Sequence, residues 1–153
     1  MNTKSTARIS VLAVVVLVAA LLAFRGIQGM SVLAAPNSLE GVWMVTVSPE
    51  GGAPFSDVTT FSHDGSVTIM EDDGRLGIGV WEKVSDHSYA FTAWEYWKEG
   101  ETFFQAKISS SIDLGKGGEK YSGPFSVQIF VVGNPDPVVI AKGSATGVRM
   151  HLQ

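Results

Sequence analysis

Closely spaced turn signals are the feature that most restricts the fold of this chain. From Leu39 onward, turn sequences interrupt stretches rich in Val, Ile, Thr and aromatic residues. These turns are Asp64-Gly65, Asp73-Gly74, Glu99-Gly100 and residues 115–118 and 133–137. Glycine adopts the positive φ that tight hairpins need, and no apolar repeat at i, i+3, i+4 and i+7 follows residue 39. The pattern predicts β-strands joined by turns, without a long helix.

The turns divide this part of the chain into eight predicted strands. They are residues 41–48, 57–63, 66–71, 77–84, 88–98, 101–113, 119–132 and 137–151. Apart from residues 49–56, the connections are short, so consecutive strands pair antiparallel as a meander. Eight such strands remove their exposed edges by closing on themselves. We predict an all-β fold, an eight-stranded antiparallel up-and-down closed barrel, with an open two-sheet sandwich as the alternative.

Alternation along three of the strands predicts which side chains face the barrel interior. The inward sets are Tyr89, Phe91, Ala93, Glu95 and Trp97 on the fifth strand, Phe104, Ala106, Ile108 and Ile112 on the sixth, and Phe125, Val127, Ile129 and Val131 on the seventh. Because a slip of one residue exchanges the two faces, each set is right or wrong as a unit. The second and eighth strands do not alternate clearly enough to be assigned.

An apolar segment precedes the strands. Residues 9–24 carry no charge, follow two basic residues and lead to a stretch of small residues. This order is typical of a secretory signal, so we expect residues 1–35 to be a signal peptide and residues 36–153 to be a secreted or periplasmic domain. The alternatives are an N-terminal hydrophobic helix that tethers the domain to a membrane, which would have to accommodate Arg25, and a lid helix of the mature fold.

Charge and cysteine content exclude several classes of function. Beyond residue 35 the chain has eight basic residues against 15 acidic ones, a net charge of −7, which repels nucleic-acid phosphates. The chain has no cysteine, which excludes disulfides, thiolate metal ligands and a thiol nucleophile. It also has no Gly-x-Ser-x-Gly motif of serine hydrolases. We expect no nucleic-acid partner and no cofactor.

The residue types that commonly bind metals are not arranged as ligand sets. No two of the three histidines, His63, His87 and His151, are spaced as a pair of ligands. Residues 71–74 contain three acidic residues, but they lack the alternating ligands and the closing glutamate of a calcium loop. We therefore expect no metal site, and we interpret residues 71–74 as a solvated hairpin turn.

Aromatic residues are concentrated in the hairpin of the fifth and sixth strands. Seven of them are Tyr89, Phe91, Trp94, Tyr96, Trp97, Phe103 and Phe104. Because each aromatic side chain can bury about 150–250 Å², this hairpin can dominate a core. Small barrels that hold ligands also line the barrel mouth with aromatic side chains and a few polar groups. Since both faces of the hairpin are aromatic, the outer face is expected to contact a partner, a membrane surface or another subunit.

Glu95 is the one polar residue that the alternation places among inward-facing apolar side chains. If it is buried without a partner, its pKa rises and it can hold a proton for acid–base chemistry. The alternative is a change of face at a bulge, which would place Glu95 outside, opposite Lys107, in an ordinary cross-strand ion pair.

The triplet Gly41-Val42-Trp43, at the start of the first strand, resembles the Gly-x-Trp signature of the lipocalins and the wider calycins. The resemblance implies that Trp43 closes the base of the barrel and that an arginine near the chain end, here Arg149, packs across its ring. Such a cation–π contact contributes about 0.5–2 kcal/mol. Residues 60–65 and 77–82 also resemble small bacterial secreted proteins with lipocalin-like or allene-oxide-cyclase-like barrels, the second type being similar to plant dirigent proteins and some bacterial cyclases.

We therefore expect an exported, non-catalytic barrel that binds a small apolar ligand or a partner protein. The expected ligand contacts are Trp43, Tyr89, Phe91, Trp97, Phe104, Phe125 and Ile129. One alternative is a cyclase or isomerase that uses the barrel cavity, with polar contacts from Glu95, Tyr89 and Tyr96. The other is a homo-oligomeric structural or interaction protein.

Overall fold

A computed structural model describes residues 37–151 of the chain, which form a closed barrel of eight antiparallel strands. The strands are β1 (Gly41–Pro49), β2 (Phe55–Phe61), β3 (Ser66–Glu71), β4 (Leu76–Lys83), β5 (Ser88–Glu99), β6 (Thr102–Leu114), β7 (Lys120–Val131) and β8 (Val139–Arg149). Each strand pairs with its neighbours in the chain, and β1 also pairs with β8.

The predicted up-and-down closed barrel is confirmed, and the open sandwich is wrong because the β1–β8 pairing closes the sheet. Each predicted strand end lies within two residues of the observed one. The predicted N-terminal helix, signal peptide or tether lies outside the described residues. Within residues 37–151, no helix is long and apolar enough to cross a membrane.

Local side-chain hydrogen bonds support the turn chemistry predicted from the sequence. At the turn between β2 and β3, Gly65 has a φ of 83°, which is the left-handed region that favours glycine. The Asp64 carboxylate accepts hydrogen bonds from the hydroxyl and the backbone N–H of Ser66, at 2.7 and 2.9 Å. These bonds lower the pKa of Asp64, so the turn is stabilised best when this carboxyl is ionised.

The inward faces predicted for β5, β6 and β7 lie together in register. Ala93 pairs with Ile108, Glu95 with Ala106 and Trp97 with Phe104, and the β6 residues of these pairs continue to matching inward positions on β7. Burial is nearly complete at the inward positions in the middle of β5, whereas the inward side chains of β7 beyond Tyr121 are only half-buried. The alternation therefore assigned the correct face on all three strands.

One end of the barrel, here called the closed end, is where β1 begins and β8 ends. Trp43 is fully buried there, its Nε1 donates to the Leu39 carbonyl at 2.8 Å, and the Tyr121 ring lies 4.9 Å from its ring. The Arg149 guanidinium lies 4.3 Å from the Trp43 ring centroid, as expected. The same guanidinium donates to the carbonyls of Ser38 and Gly118, at 2.6 and 2.7 Å, and to that of Glu40.

Glycine is required at the start of β1 by this closure. Gly41 has a φ of 132°, and a Cβ at this position would lie 2.7 Å from Nη1 of Arg149. Since non-bonded atoms do not approach so closely, a larger residue would displace the guanidinium from Trp43. The Gly41-Val42-Trp43 triplet thus has a physical role in the chain's own closure.

Candidate functional site

A small cavity lies inside the barrel, between the closed end and the end at which β3 finishes and β4 begins. Its volume is about 60 Å³. Apolar side chains form most of its wall, including Val45, Ile69, Phe91 and Phe125. Tyr121 lines the cavity and also packs against Trp43, so its ring separates the cavity from the closed end.

Two carboxyl groups line this cavity and a third is buried close to them; we call Asp57, Glu71 and Glu95 the acidic cluster. Asp57 on β2 and Glu71 on β3 are direct cross-strand partners. Asp57 is 8% exposed and Glu95 is 1% exposed. Like charges placed opposite one another repel, so the cluster needs protons, a cation or both.

Hydrogen bonds satisfy the cluster only in part. The Thr59 hydroxyl donates to Oδ1 of Asp57 at 2.8 Å. Arg75, in the turn after β3, forms ion pairs with Glu71 at 2.5 Å and with Asp73 at 2.8 Å. Oε1 of Glu95 is buried and has no hydrogen-bond partner among the described residues. The cluster therefore contains an unpaired acceptor in its most buried member.

Burial raises the pKa of all three carboxyl groups in the acidic cluster. Loss of solvation raises the pKa of Glu95 to about 7, and the charge of Glu71 adds to this rise while that of Arg75 opposes it. Burial also raises the pKa of Asp57 to about 6, against the opposing effect of the Thr59 hydrogen bond. The pKa of Glu71 is raised by burial as well, and Arg75 opposes this rise. Near neutral pH, Asp57 and Glu95 are therefore close to the midpoint between their protonated and ionised forms.

The space for the Glu95 carboxyl comes from a glycine on the neighbouring strand. Gly77 is the cross-strand partner of Glu95. A Cβ at Gly77 would lie 3.1 Å from Cγ and 3.2 Å from Oε1 of Glu95, which is tighter than ordinary van der Waals contact. The glycine therefore lets Glu95 turn inward without a bulge, and the alternative position opposite Lys107 is wrong, because Lys107 pairs with Trp94.

The residues predicted to contact a ligand are divided between three places. Phe91 and Phe125 line the cavity. Trp43 and Tyr89 belong instead to the buried core, and the Tyr89 hydroxyl donates to the carbonyl of Asn37 at 3.0 Å.

The other three predicted contacts lie outside the cavity lining. Trp97 and Phe104 stack on each other with ring centroids 5.4 Å apart. The Arg75 guanidinium lies 5.0 Å from the Trp97 ring, so this pair supports the arginine that neutralises Glu71. Ile129 holds an inward register position on β7 and is half-buried.

The polar trio suggested for a cyclase or isomerase is not brought together. Tyr89 is directed to the closed end by its bond to Asn37, and Tyr96 is 64% exposed on the outer face of β5. Strand alternation explains the second result, because neighbouring residues on a strand point to opposite faces. The groups that do accompany Glu95 are Asp57 and Glu71.

Sequence reasoning missed Asp57, Thr59 and Glu71 as members of the site. The interpretation of residues 71–74 as a solvated turn is correct for the three residues after Glu71, which are exposed. It is wrong for Glu71, whose side chain is 12% exposed and lines the cavity. No group of three or more histidine or carboxylate side chains in residues 37–151 is arranged to hold a metal ion.

The outer surface carries a row of apolar side chains in direct cross-strand register, here called the outer apolar row. It consists of Val148, Met44, Val58, Met70 and Leu76. Ile78 and Val80 continue the apolar surface along β4 and are 60% and 68% exposed. Surfaces of this kind commonly mark contacts with other molecules.

Comparisons with known proteins found no match to this chain. The chain matches no protein-family model, no curated protein and no solved structure. The barrel closure at Trp43 and the acidic cavity are therefore the features that bear on its function.

Proposed function

We propose that this protein is a lipocalin-like barrel that binds a small organic ligand in its cavity and carries out no reaction on it. The observation that carries the proposal is the cavity of about 60 Å³ inside the barrel, with apolar walls and a few polar groups. Ligand sites have this composition, because apolar walls supply affinity and placed polar groups supply orientation. The Trp43–Arg149 closure supports the lipocalin-like architecture, since it seals the opposite end.

The cavity volume limits the size of the proposed ligand. A cavity needs about 10–15 Å³ to hold one water molecule, so about 60 Å³ accommodates about four to six groups of that size. Drug-sized ligands occupy sites of about 300–1,000 Å³. The proposed ligand is therefore a molecule of about four to six non-hydrogen atoms, and not a long-chain lipid.

The proposed place of action is outside the cytoplasm, either secreted or periplasmic, with a membrane tether as the alternative. Its support is the order of basic, apolar and small residues in the leader. The mass of the protein recovered from each cell fraction tests this. An N-terminus near residue 35 indicates cleavage, a full-length membrane-bound form indicates the tether, and a full-length cytoplasmic form contradicts both.

The binding proposal is tested by NMR titration of the purified protein with a set of small fragments. Expected are shift changes at residues that line the cavity, with binding weakened at least about tenfold by Ala145→Leu, because the added side chain occupies the cavity. The matched control is Thr146→Leu, which adds bulk on the exposed face of the same strand. Fragments that leave the cavity resonances unchanged, or that bind Ala145→Leu equally well, contradict the proposal.

The second candidate is an enzyme that transfers a proton to and from a small substrate, favoured by two buried carboxyls whose pKa values are raised to about 6 and 7. General acid–base groups work best with a pKa near the operating pH. Protein-catalysed deuterium exchange at the acidic C–H bonds of small ketones tests this candidate. Exchange that is lost in Asp57→Asn and Glu95→Gln supports it, and exchange at the uncatalysed rate rejects it.

A further inference from the structure

The acidic cluster has more negative than positive groups around it. The ionisable side chains that face it are Asp57 on β2, Glu71 on β3, Asp72, Asp73 and Arg75 in the following turn, Glu95 on β5 and Tyr121 on β7. Arg75 is the one cation in this group, and its ion pairs are with Glu71 and Asp73. Neither Asp57 nor Glu95 has an ion-pair partner within residues 37–151.

An acceptor without a donor lies in the same place. Glu95 is 1% exposed, and its Oε1 has no hydrogen-bond partner in the part of the chain that the structure describes. A buried polar atom that is left unpaired is destabilising, and the penalty is larger for a charged group. Asp57 receives one side-chain hydrogen bond, from Thr59, although a carboxylate can accept several. The cluster therefore has unused capacity for hydrogen-bond donors and for positive charge.

The surroundings indicate what kind of cation fits. Side-chain ligands in the described residues are not grouped to hold a metal ion, and the rest of the cavity wall is mostly apolar, with Val45, Ile69, Phe91 and Phe125 among its side chains. An organic cation with an apolar body complements both parts of this lining. A primary ammonium group provides three donors and a full charge, in a volume that a cavity of about 60 Å³ can hold together with a short alkyl chain.

We propose that the cavity binds short-chain primary alkylamines as their ammonium ions, with the nitrogen placed among Asp57, Glu71 and Glu95 and the alkyl chain against the apolar wall. This inference rests on the proposed ligand-binding function and names the ligand class. Because ammonium ions favour ionised carboxylates, binding releases protons from the cluster and strengthens as the pH rises from 5 to 8.

The test compares n-butylamine with 1-butanol, which has the same number of non-hydrogen atoms and no charge. Calorimetric and NMR titrations of the unmodified protein at pH 8 are expected to show at least about tenfold tighter binding of the amine, since a charged hydrogen-bonded pair strengthens binding by that order. Repeating the calorimetry in buffers of different ionisation enthalpy is expected to show proton release on amine binding. At pH 5 the preference for the amine is expected to fall.

The conservative variants Asp57→Asn and Glu95→Gln are expected to weaken amine binding about tenfold and to leave 1-butanol binding unchanged. Glu82→Gln, at an exposed position on β4, serves as the matched control. Equal binding of amine and alcohol overturns the amine inference and leaves the ligand-binding proposal standing. If neither compound binds and the fragment titration is also negative, both are overturned. The comparison on the unmodified protein decides the question even if a variant does not fold.

Discussion

Replacing Glu95 with glutamine is expected to change how the stability of the barrel depends on pH. Most carboxyl groups in folded proteins are stabilised in the ionised form, so their contribution grows as the pH rises. Glu95 is the opposite case, because burial raises its pKa from the ordinary value of 4.5 to about 7. The folded state therefore holds this proton more tightly than the unfolded state does, and the stability that Glu95 contributes falls as the pH rises from 4.5 to 7.

The size of the effect follows from these two pKa values. Each tenfold difference in proton affinity corresponds to about 1.4 kcal/mol. The rise of the Glu95 pKa from 4.5 to about 7 therefore lowers the free energy of unfolding by about 3 kcal/mol between pH 4.5 and pH 8. Asp57, whose pKa is raised from 3.8 to about 6, adds a loss with the same sign at slightly lower pH. Glutamine has a similar shape and stays neutral, so Glu95→Gln is expected to stabilise the protein at pH 8 by about 2–3 kcal/mol.

Urea denaturation followed by tryptophan fluorescence, at pH 5, 6, 7 and 8, measures this difference. The unfolding free energy of the variant is expected to exceed that of the unmodified protein at pH 8, with the gap closing toward pH 5. Glu82→Gln, which changes an exposed glutamate on β4, is expected to follow the unmodified protein within about 0.5 kcal/mol at every pH. A gap that is constant with pH, or that widens toward pH 5, refutes the assignment of a raised pKa to Glu95.

Three further perturbations test the closed end, the space beside Glu95 and the outer surface. Arg149→Met is expected to lower the unfolding free energy by about 3 kcal/mol or more, because it removes the contact with Trp43 and three hydrogen bonds to carbonyls. Urea denaturation measures this loss, and a loss under about 1 kcal/mol contradicts the role of Arg149 in the closure. Gly77→Ala is expected to lower the unfolding free energy by about 1–3 kcal/mol, because the added methyl group overpacks against Glu95. The same substitution in the Glu95→Gln variant is expected to cause the same loss, because glutamine is no smaller than glutamate. Ile78→Thr, at a position 60% exposed, is expected to change the unfolding free energy by less than about 0.5 kcal/mol. In sedimentation velocity, it is expected to reduce any concentration-dependent association of the protein. Unchanged association shows that this surface is not where the copies contact each other.

The barrel was predictable from the sequence because its determinants are local. Glycine at the turns, short connections and alternation within each strand are all visible in short windows, and together they leave closure as the simplest arrangement of eight strands. Glu95 was also within reach, because Ala93 and Trp97 flank it on the same face. The Trp43–Arg149 contact was expected from a resemblance, and its geometry agrees.

The acidic cluster was not predictable because it depends on strand pairing. β2 carries polar residues at positions of both faces, so alternation could not show that Asp57 points inward. Glu71 is followed by two acidic residues and a glycine, which makes it read as part of a turn. The Asp57–Glu71 pairing exists only through the register of two strands, and neither carboxyl by itself carries a signal of that register.

The two ends of the barrel have opposite energetic characters, and this contrast connects the fold with the proposed function. At the closed end, Trp43 and Arg149 have partners for their polar groups, in a domain that has no cysteine for a disulfide. At the cavity, Asp57 and Glu95 are buried and neither forms an ion pair within residues 37–151, which destabilises the folded state near neutral pH. Apolar residues of similar size at these two positions would remove that loss, as they do for other buried ionic groups. Buried carboxyl groups that lie at a cavity are expected to serve a ligand there, and a donor-rich cation is the ligand that would reverse the loss.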